Sequence, residues 1–329
     1  MILIIGGAGY IGSHAVKACI DKGYDVVVLD NLSTGHDQAV DPRAIFVKGN
    51  LGDESLLKKI FLQHKIQAVM HFAAHSLVGE SVQEPLKYYD NNVSATVTLI
   101  KEMLRHNVKR FIFSSTAATY GIPDAELIDE TCPTNPINPY GRSKLMVEQM
   151  LDDAAKAYGL SYVSLRYFNA AGADESGKIG EDHDPETHLI PLVLQHLLGK
   201  RESISVFGTD YDTPDGTCIR DYIHVTDLAD AHVLALQQLL EEDQVAEVYN
   251  LGNGAGYSVK EVIETCEKVT GLKANVVIAD RRPGDPPRLV ASSEKIHNRL
   301  GWKPKYDLEA IIQTAWHWHK QHPNGYDKE

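Results

Sequence analysis

Short apolar runs alternate with longer amphipathic segments along the first half of the chain. Runs rich in Val, Ile and Leu at 2–5, 26–29, 44–47, 68–72, 110–114 and 162–165 have the length and β-branched content of buried strands. Between them, segments at 10–22, 54–64, 86–106 and 140–158 place apolar residues at helical spacing. Strand and helix in strict alternation predict an α/β fold, a doubly wound parallel sheet covered by helices on both faces. Ligands then belong at the carboxyl ends of the strands. Beyond residue 169 Gly and Pro become frequent and loops lengthen at 171–186, 208–217 and 280–287. The boundary falls there, with a sheet domain at 1–169 and a smaller α/β lobe at 170–329. A helix at 225–240 and a strand at 248–251 are placed to return to the sheet.

Composition narrows the partners. The chain has 329 residues, with 32 basic and 45 acidic side chains for a net charge of −13. That field repels nucleic acid and anionic lipid, so neither is an expected partner. It also means that an anionic ligand must be held by a few placed arginines and helix N-termini. No apolar run is long enough to span a membrane, and the opening Met-Ile-Leu-Ile-Ile reads as a buried strand rather than a leader. The four cysteines (Cys19, Cys132, Cys218, Cys266) are widely spaced with no CxxC, as expected of reduced thiols in a cytoplasmic protein.

The first chemical signal is Gly6-Gly7-Ala8-Gly9-Tyr10-Ile11-Gly12, which follows a strand and opens a helix. Glycines here permit a tight turn, close approach of backbone to a pyrophosphate, and close packing of helix on strand, while the helix N-terminus faces the phosphates. The second strand ends at Asp30, 18 residues after Gly12. A carboxylate at that point accepts hydrogen bonds from ribose hydroxyls and repels a 2′-phosphate, so the expected cofactor is NAD and the domain Rossmann-type.

The second signal is Tyr140-Gly-Arg-Ser-Lys144, which puts Tyr and Lys on one face of a helix. A free Tyr, with a pKa near 10, is a poor base; bringing it to about 7 requires about 4 kcal/mol, which a neighbouring ammonium and a positive nicotinamide ring can supply. A Tyr and Lys so spaced more often lie on a solvated face. The strand Phe111-Ile-Phe-Ser-Ser-Thr116 changes that reading, because its hydroxyl-rich end faces the cofactor and sets Thr116 beside the reacting oxygen. Ser114 is equally suited to capping the next turn.

Together these residues resemble the extended short-chain dehydrogenase/reductase superfamily, and within it the UDP-hexose 4-epimerases. The likeness covers nearly the whole chain: GGAGYIGSH at 6–14, LDNL at 29–32, VGESVQEPLKYYDNNV at 78–93, PYGRSKLMVEQ at 139–149, LRYFNAAGA at 165–173, GTCIRDYIHVTDLADAH at 216–232, YNLGNG at 249–254, RRPGD at 281–285 and WHWHKQHPNGY at 316–326. The resemblance implies reversible epimerisation at C4 of a UDP-hexose through a 4-keto intermediate, with NAD taking a hydride and returning it to the opposite face. It assigns catalysis to Tyr140, Lys144 and Thr116. To the cofactor it assigns Gly6, Gly9, Tyr10, Ile11, Gly12, Asp30, Asn31, Asn50, Leu51, Phe72, Ala73, Ala74, Asn91, Ser114 and Tyr167, with Tyr140 and Lys144. To the substrate it assigns Thr116, Tyr140, Asn169, His188, Leu189, Phe207, Arg220, Tyr222, Arg282, Asp285 and Leu289. A homodimer built on the helices near 86–106 and 140–158 also follows from the resemblance.

Four positions depart from the family pattern. Ser76 stands where a phosphate-contacting Lys is common, Asn50 where an Asp meets the adenine, and His188 where an Asn precedes the Leu-x-Pro run. Leu289 stands where a Tyr makes some members reject N-acetyl sugars, so N-acetylhexosamine turnover is open to this chain. A dehydratase is disfavoured because Ala117-Ala118 follow Thr116 where an acid/base pair is needed. A redox-sensing NAD-binding regulator needs no Tyr–Lys pair. A glucuronate-acting relative would require a further basic residue. The histidines at Trp316-His-Trp-His319-Lys-Gln-His322 are assigned to packing and solvated faces, and no metal is expected.

Overall fold

The computed structural model describes residues 1–282 and 285–326, so Pro283 and Gly284 of the RRPGD run lie outside the described residues. Six strands form in the first half: β1 (Ile2–Ile5), β2 (Val26–Asp30), β3 (Ile45–Lys48), β4 (Ala68–His71), β5 (Arg110–Thr116) and β6 (Ser161–Tyr167). The helices among them are α1 (Tyr10–Asp21), α2 (Glu54–Gln63), α3 (Val78–Gln83), α4 (Pro85–Tyr88), α5 (Ala95–Arg105) and α6 (Pro139–Tyr158). The second half adds β7 (Asn169–Ala171), α7 (Leu189–Leu197), β8 (Ile204–Phe207), β9 (Ile219–Arg220), β10 (Tyr222–His224), α8 (Val225–Glu241) and β11 (Ala246–Leu251). It ends with β12 (Tyr257–Ser258), α9 (Val259–Thr270), β13 (Val276–Ala279), β14 (Arg288–Leu289), α10 (Glu294–Leu300) and α11 (Leu308–Gln321).

Seven strands form one sheet in the order β11-β6-β5-β4-β1-β2-β3, every pairing parallel. The α/β fold class expected from the alternation is therefore present, and its strand order reverses between β1 and β4, where a doubly wound sheet opens its ligand crevice. The period-2 alternation of each strand divides the core in two. Ile2, Ile4, Val26 and Val28 pack with Val16 and Cys19 of α1 and with Leu228, Ala231 and Leu236 of α8. Leu3, Ile5, Val27 and Leu29 face the other way, onto Leu57 of α2, Leu99 and Met103 of α5, and Val147 and Leu151 of α6. At about 25 cal/mol per Å² of apolar surface removed from water, these two layers dominate the sheet's stability. The helix and strand expected to return near 225–251 do so as α8 and β11, which pairs with β6. A third core, built on Ile190, Val193 and Leu194 of α7 with Val262 and Ile263 of α9 and Ile311 and Ile312 of α11, belongs to the smaller lobe.

One expected element is different. The periodic segment 86–106 is not a single α-helix: a π-helical turn at Tyr89–Ser94 separates α4 from α5. Such turns often mark functional sites, and the reason is local here. Asn92 is buried, its Oδ1 accepts from the His75 amide at 2.9 Å, and its Nδ2 donates to His75 O and to Ser143 Oγ, both at 3.0 Å. The wide turn lets this side chain reach both the loop after β4 and the start of α6.

Candidate active site

The crevice opens where the sheet order reverses, and the glycines of the first turn fit a dinucleotide there on steric grounds. Gly6 has a φ of +80°, and a Cβ on it would lie 2.5 Å from Ala73 N. A Cβ on Gly12 would lie 2.0 Å from Gly6 O. Both positions therefore exclude any side chain, and the α1 N-terminus stays open to a phosphate. Asp30 braces the turn: its Oδ2 accepts from Ala8 N at 3.0 Å and its Oδ1 from Leu32 N at 2.8 Å. A carboxylate has about four lone-pair sites, so both oxygens can still accept from ribose hydroxyls.

The cleft around this turn is lined by Gly6, Gly9, Asp30, Asn31, Asn50 and Leu51, and on the β4 side by Phe72, Ala73, Ala74 and Asn91. These cofactor assignments thus come together in space, joined by His75 and Thr34, which the sequence reading passed over. Asn50 uses Oδ1 to accept from Gly52 N at 3.0 Å, so the second lone pair is what remains for an adenine amine. Ser76 is exposed and replaces no cationic contact. Of the residues around the helix start, Gly12 is buried, Ile11 packs partly against the sheet, and the Tyr10 hydroxyl donates to Gly172 O at 2.7 Å.

Asn138 caps α6 by accepting from Gly141 N at 2.8 Å, Pro139 fits the first turn, and Gly159 ends the helix with a φ of 67°. Tyr140 and Lys144, expected from the sequence to be catalytic, sit in the first two turns of this helix, beside the carboxyl end of β5. Lys144 is buried and donates from Nζ to Ser114 O at 2.7 Å, with its ammonium 4.9 Å from the Phe113 ring centroid. Burial pulls its pKa down to about 7, against the opposing pull of Glu148. Tyr140 is half-buried, and burial pushes its phenol up, while the Thr116 hydroxyl beside it works in the other direction. The lowering expected from a neighbouring ammonium and a positive nicotinamide ring therefore has to work against burial, with the Thr116 hydroxyl pulling in the same direction as those charges.

The three hydroxyls of β5 separate cleanly. Ser114 Oγ bonds Tyr167 OH, Ser115 Oγ donates to Glu148 Oε1 at 2.5 Å, and Thr116 Oγ1 accepts from Ala118 N at 3.1 Å. The capping considered for Ser114 is thus performed by Thr116, which caps and faces Tyr140 together.

A second cleft opens beside the smaller lobe and is lined by Asn169, His188, Leu189, Phe207, Arg220 and Tyr222, with Arg282 and Asp285 at its rim. Asn169 donates from Nδ2 to Asp221 O at 2.8 Å, leaving its Oδ1 for a ligand. Arg220 pairs with Asp285 at 2.5 Å, and the Arg282 guanidinium stacks 4.0 Å from the Phe207 ring centroid. The sequence treated these residues as separate contacts, whereas the fold couples them in pairs. His188 is tied to Glu181 and Glu186 at 2.9 and 3.0 Å. Leu289 lies on β14 in register with Arg220 of β9, alongside the cleft. Ser203, Ser205, Arg201 and Cys218 also line it; they sit in short irregular strands and loops that carry no periodic signal. Two of the C-terminal histidines go to packing, since His319 is buried and His322 stacks on Trp318 at 3.8 Å, while His317 lies on the solvated face.

The fold and the first cleft define a Rossmann-type dinucleotide-binding protein with a Tyr–Lys pair at the strand ends. The chain belongs to the NAD dependent epimerase/dehydratase family, whose model matches residues 2–252. It is 57% identical to a UDP-glucose 4-epimerase of Halalkalibacterium halodurans over 100% of this chain and 98% of that one. Among solved structures it is similar to a UDP-glucose 4-epimerase with a TM-score of 0.97 at 55% identity, covering 99% of each chain. It is also similar to the UDP-glucose 4-epimerase of Bifidobacterium longum in complex with NAD+ and UDP, with a TM-score of 0.94, 42% identity and 99% of each chain covered. Among the described residues, no helix is long and apolar enough to cross a membrane.

Proposed function

We infer that the chain catalyses the reversible C4 epimerisation that interconverts UDP-glucose and UDP-galactose. The observation that carries this reading is the convergence of Tyr140, Thr116 and Lys144 at the end of β5, between a dinucleotide cleft and a second, arginine-bearing cleft. NAD bound in the first cleft supplies the acceptor for the electron pair at sugar C4 and, on return, its donor. Tyr140 takes the proton of the 4-hydroxyl and later gives it back, and Thr116 holds the same oxygen in place. Lys144, anchored on Ser114 O, orients the nicotinamide ribose and adds positive charge behind the phenol. Gly6, Gly9 and Gly12 with Asp30 hold the dinucleotide; Arg220 and Arg282 take the UDP phosphates by charge-assisted bonds, which a chain of net charge −13 requires. Asn169, Phe207 and Asp285 bind the rest of the nucleotide sugar. The 4-keto sugar turns about its pyrophosphate linkage between the two half-reactions, so no net oxidation results.

The purified protein should interconvert the two sugars without added NAD. A strict requirement for exchangeable NAD would reject a cofactor retained through the cycle. Leu289 leaves more room than a Tyr would, so UDP-N-acetylglucosamine should also turn over. Leu289→Tyr should shift the ratio of kcat/KM values toward UDP-glucose by about tenfold or more. An unchanged ratio would remove Leu289 as the discriminator.

The reading includes a homodimer. Val82 is 63%, Leu86 78% and Met146 42% exposed, and they sit on α3, α4 and α6, which pack on one another. Exposed apolar side chains on three mutually packed helices fit an interface. Leu86→Asp with Met146→Asp should yield a monomer by analytical ultracentrifugation, and an unchanged sedimentation coefficient would locate the interface elsewhere. The four free cysteines fit a reducing, cytoplasmic setting.

A further inference from the structure

The loop between β7 and α7 brings together four side chains, of which His188 also lines the second cleft. Glu181, His183, Glu186 and His188 each offer one donor atom, and those four atoms all lie within 4.8 Å of one another. His183 Nδ1 stands 3.1 Å from Glu181 Oε1 and 3.6 Å from Glu186 Oε2. His188 Nδ1 stands 2.9 Å from Glu181 Oε1 and 3.0 Å from Glu186 Oε1. Ligands about 2.0–2.1 Å from a tetrahedral zinc ion are separated from each other by roughly 3.3 Å, so the observed separations bracket that value.

Ion pairing joins these residues but leaves polar atoms without a hydrogen-bond partner. Both glutamate side chains are 4% exposed. Yet Glu181 Oε1 and His183 Nδ1 make no hydrogen bond despite their approach. Once each imidazole has given up its proton, the two carboxylates carry a charge that one dication balances. Two nitrogens with two carboxylate oxygens select zinc over magnesium or calcium, which prefer all-oxygen sets.

We propose that Glu181, His183, Glu186 and His188 bind one zinc ion that fixes the entry to α7. Four protein ligands leave no position for substrate, so the ion is structural. Binding displaces the proton from each histidine and ties the chain between 181 and 188 into a closed loop. His188 is the N-cap of α7 and lines the second cleft with Leu189, so the ion sets where that wall stands. The Tyr10 ring, at the start of α1, meets His183 edge-on at 6.0 Å, which links the same loop to the dinucleotide turn.

Elemental analysis of tag-free protein should find zinc at about one ion per chain. Stripping with a chelator should lower the thermal midpoint, and added Zn2+ should restore it. Co2+ added to stripped protein should give the intense visible bands of a tetrahedral site. His183→Ala and Glu181→Gln should abolish the metal and the Co2+ bands while NAD content stays at the wild-type level. The wild-type titration decides the matter even if a variant fails to fold. No stoichiometric zinc as purified together with no Co2+ or Zn2+ uptake by stripped protein would overturn the proposal, as would both variants retaining the metal.

Discussion

Tyr140→Phe should bind NAD and UDP as the parent does and turn over about a thousandfold more slowly. The substitution removes one oxygen and leaves the ring, the helix start and its Asn138 cap in place, so folding and both clefts are conserved. What disappears is the phenol that, in the proposed reaction, takes the 4-hydroxyl proton. Thr116 remains, but an alcohol does not ionise near neutral pH, and its Oγ1 already accepts from Ala118 N. Lys144 is held away on Ser114 O, with its pKa pulled down to about 7 by burial. General acid–base catalysis by a placed side chain contributes on the order of 10²- to 10⁴-fold, which sets the expected loss. Steady-state kcat with UDP-galactose, and NAD released on denaturation, read the two halves of the claim separately. A near-normal kcat would remove Tyr140 as the base, whereas loss of NAD would show that the residue holds the cofactor instead.

Much of the sheet was legible because its information is local and repeated. Ile2–Ile5 is a continuous apolar run ahead of the first helix-length segment, and the structure places it inside the sheet between β4 and β2 with both faces covered. The glycine turn was equally legible, since Gly6 and Gly12 occupy positions where the backbone leaves no room for a Cβ. The segment 86–106 was misread because Asn91 and Asn92 fit a helical period; only the buried partners of Asn92, at His75 and Ser143, explain the wide turn. Those partners are 17 and 51 residues away, beyond any local pattern. The smaller lobe was harder still. Its strands are as short as two residues, and the couplings of Arg220 with Asp285 and Arg282 with Phe207 join segments over 60 residues apart. The balance of charges at Tyr140 was also out of reach, because burial rather than spacing decides how much charge Lys144 keeps.

The same burial governs what should be the largest effect on stability, at Glu148. This carboxylate lies on α6 one turn beyond Lys144 and accepts from Arg166 Nε at 2.9 Å, Arg166 Nη2 at 2.5 Å and Ser115 Oγ at 2.5 Å. Arg166 lies in β6, 4.8 Å from the Tyr120 ring centroid, and the Tyr120 hydroxyl donates to Asn250 Oδ1 at 2.7 Å in β11. Glu148 and Arg166 are each 6% exposed, so water cannot replace a lost partner. Glu148→Ala should therefore cost about 3–5 kcal/mol, because it leaves a buried guanidinium unpaired. That is a large share of the roughly 5–15 kcal/mol that stabilises an ordinary folded domain. The penalty belongs to the orphaned charge more than to the lost bonds. Removing both partners in Glu148→Leu with Arg166→Met should accordingly recover a large part of the loss, since apolar replacement of a buried pair is often close to neutral. Urea unfolding of the single and double variants measures this directly. Losses that simply add would mean that the two side chains act independently and that the pair does not lock α6 onto β6. The active site feels the same change: Glu148 is the group that opposes the fall of the Lys144 pKa. Its removal should lower that pKa further and leave less charge behind Tyr140 at neutral pH, so kcat in Glu148→Gln should drop even where the fold survives.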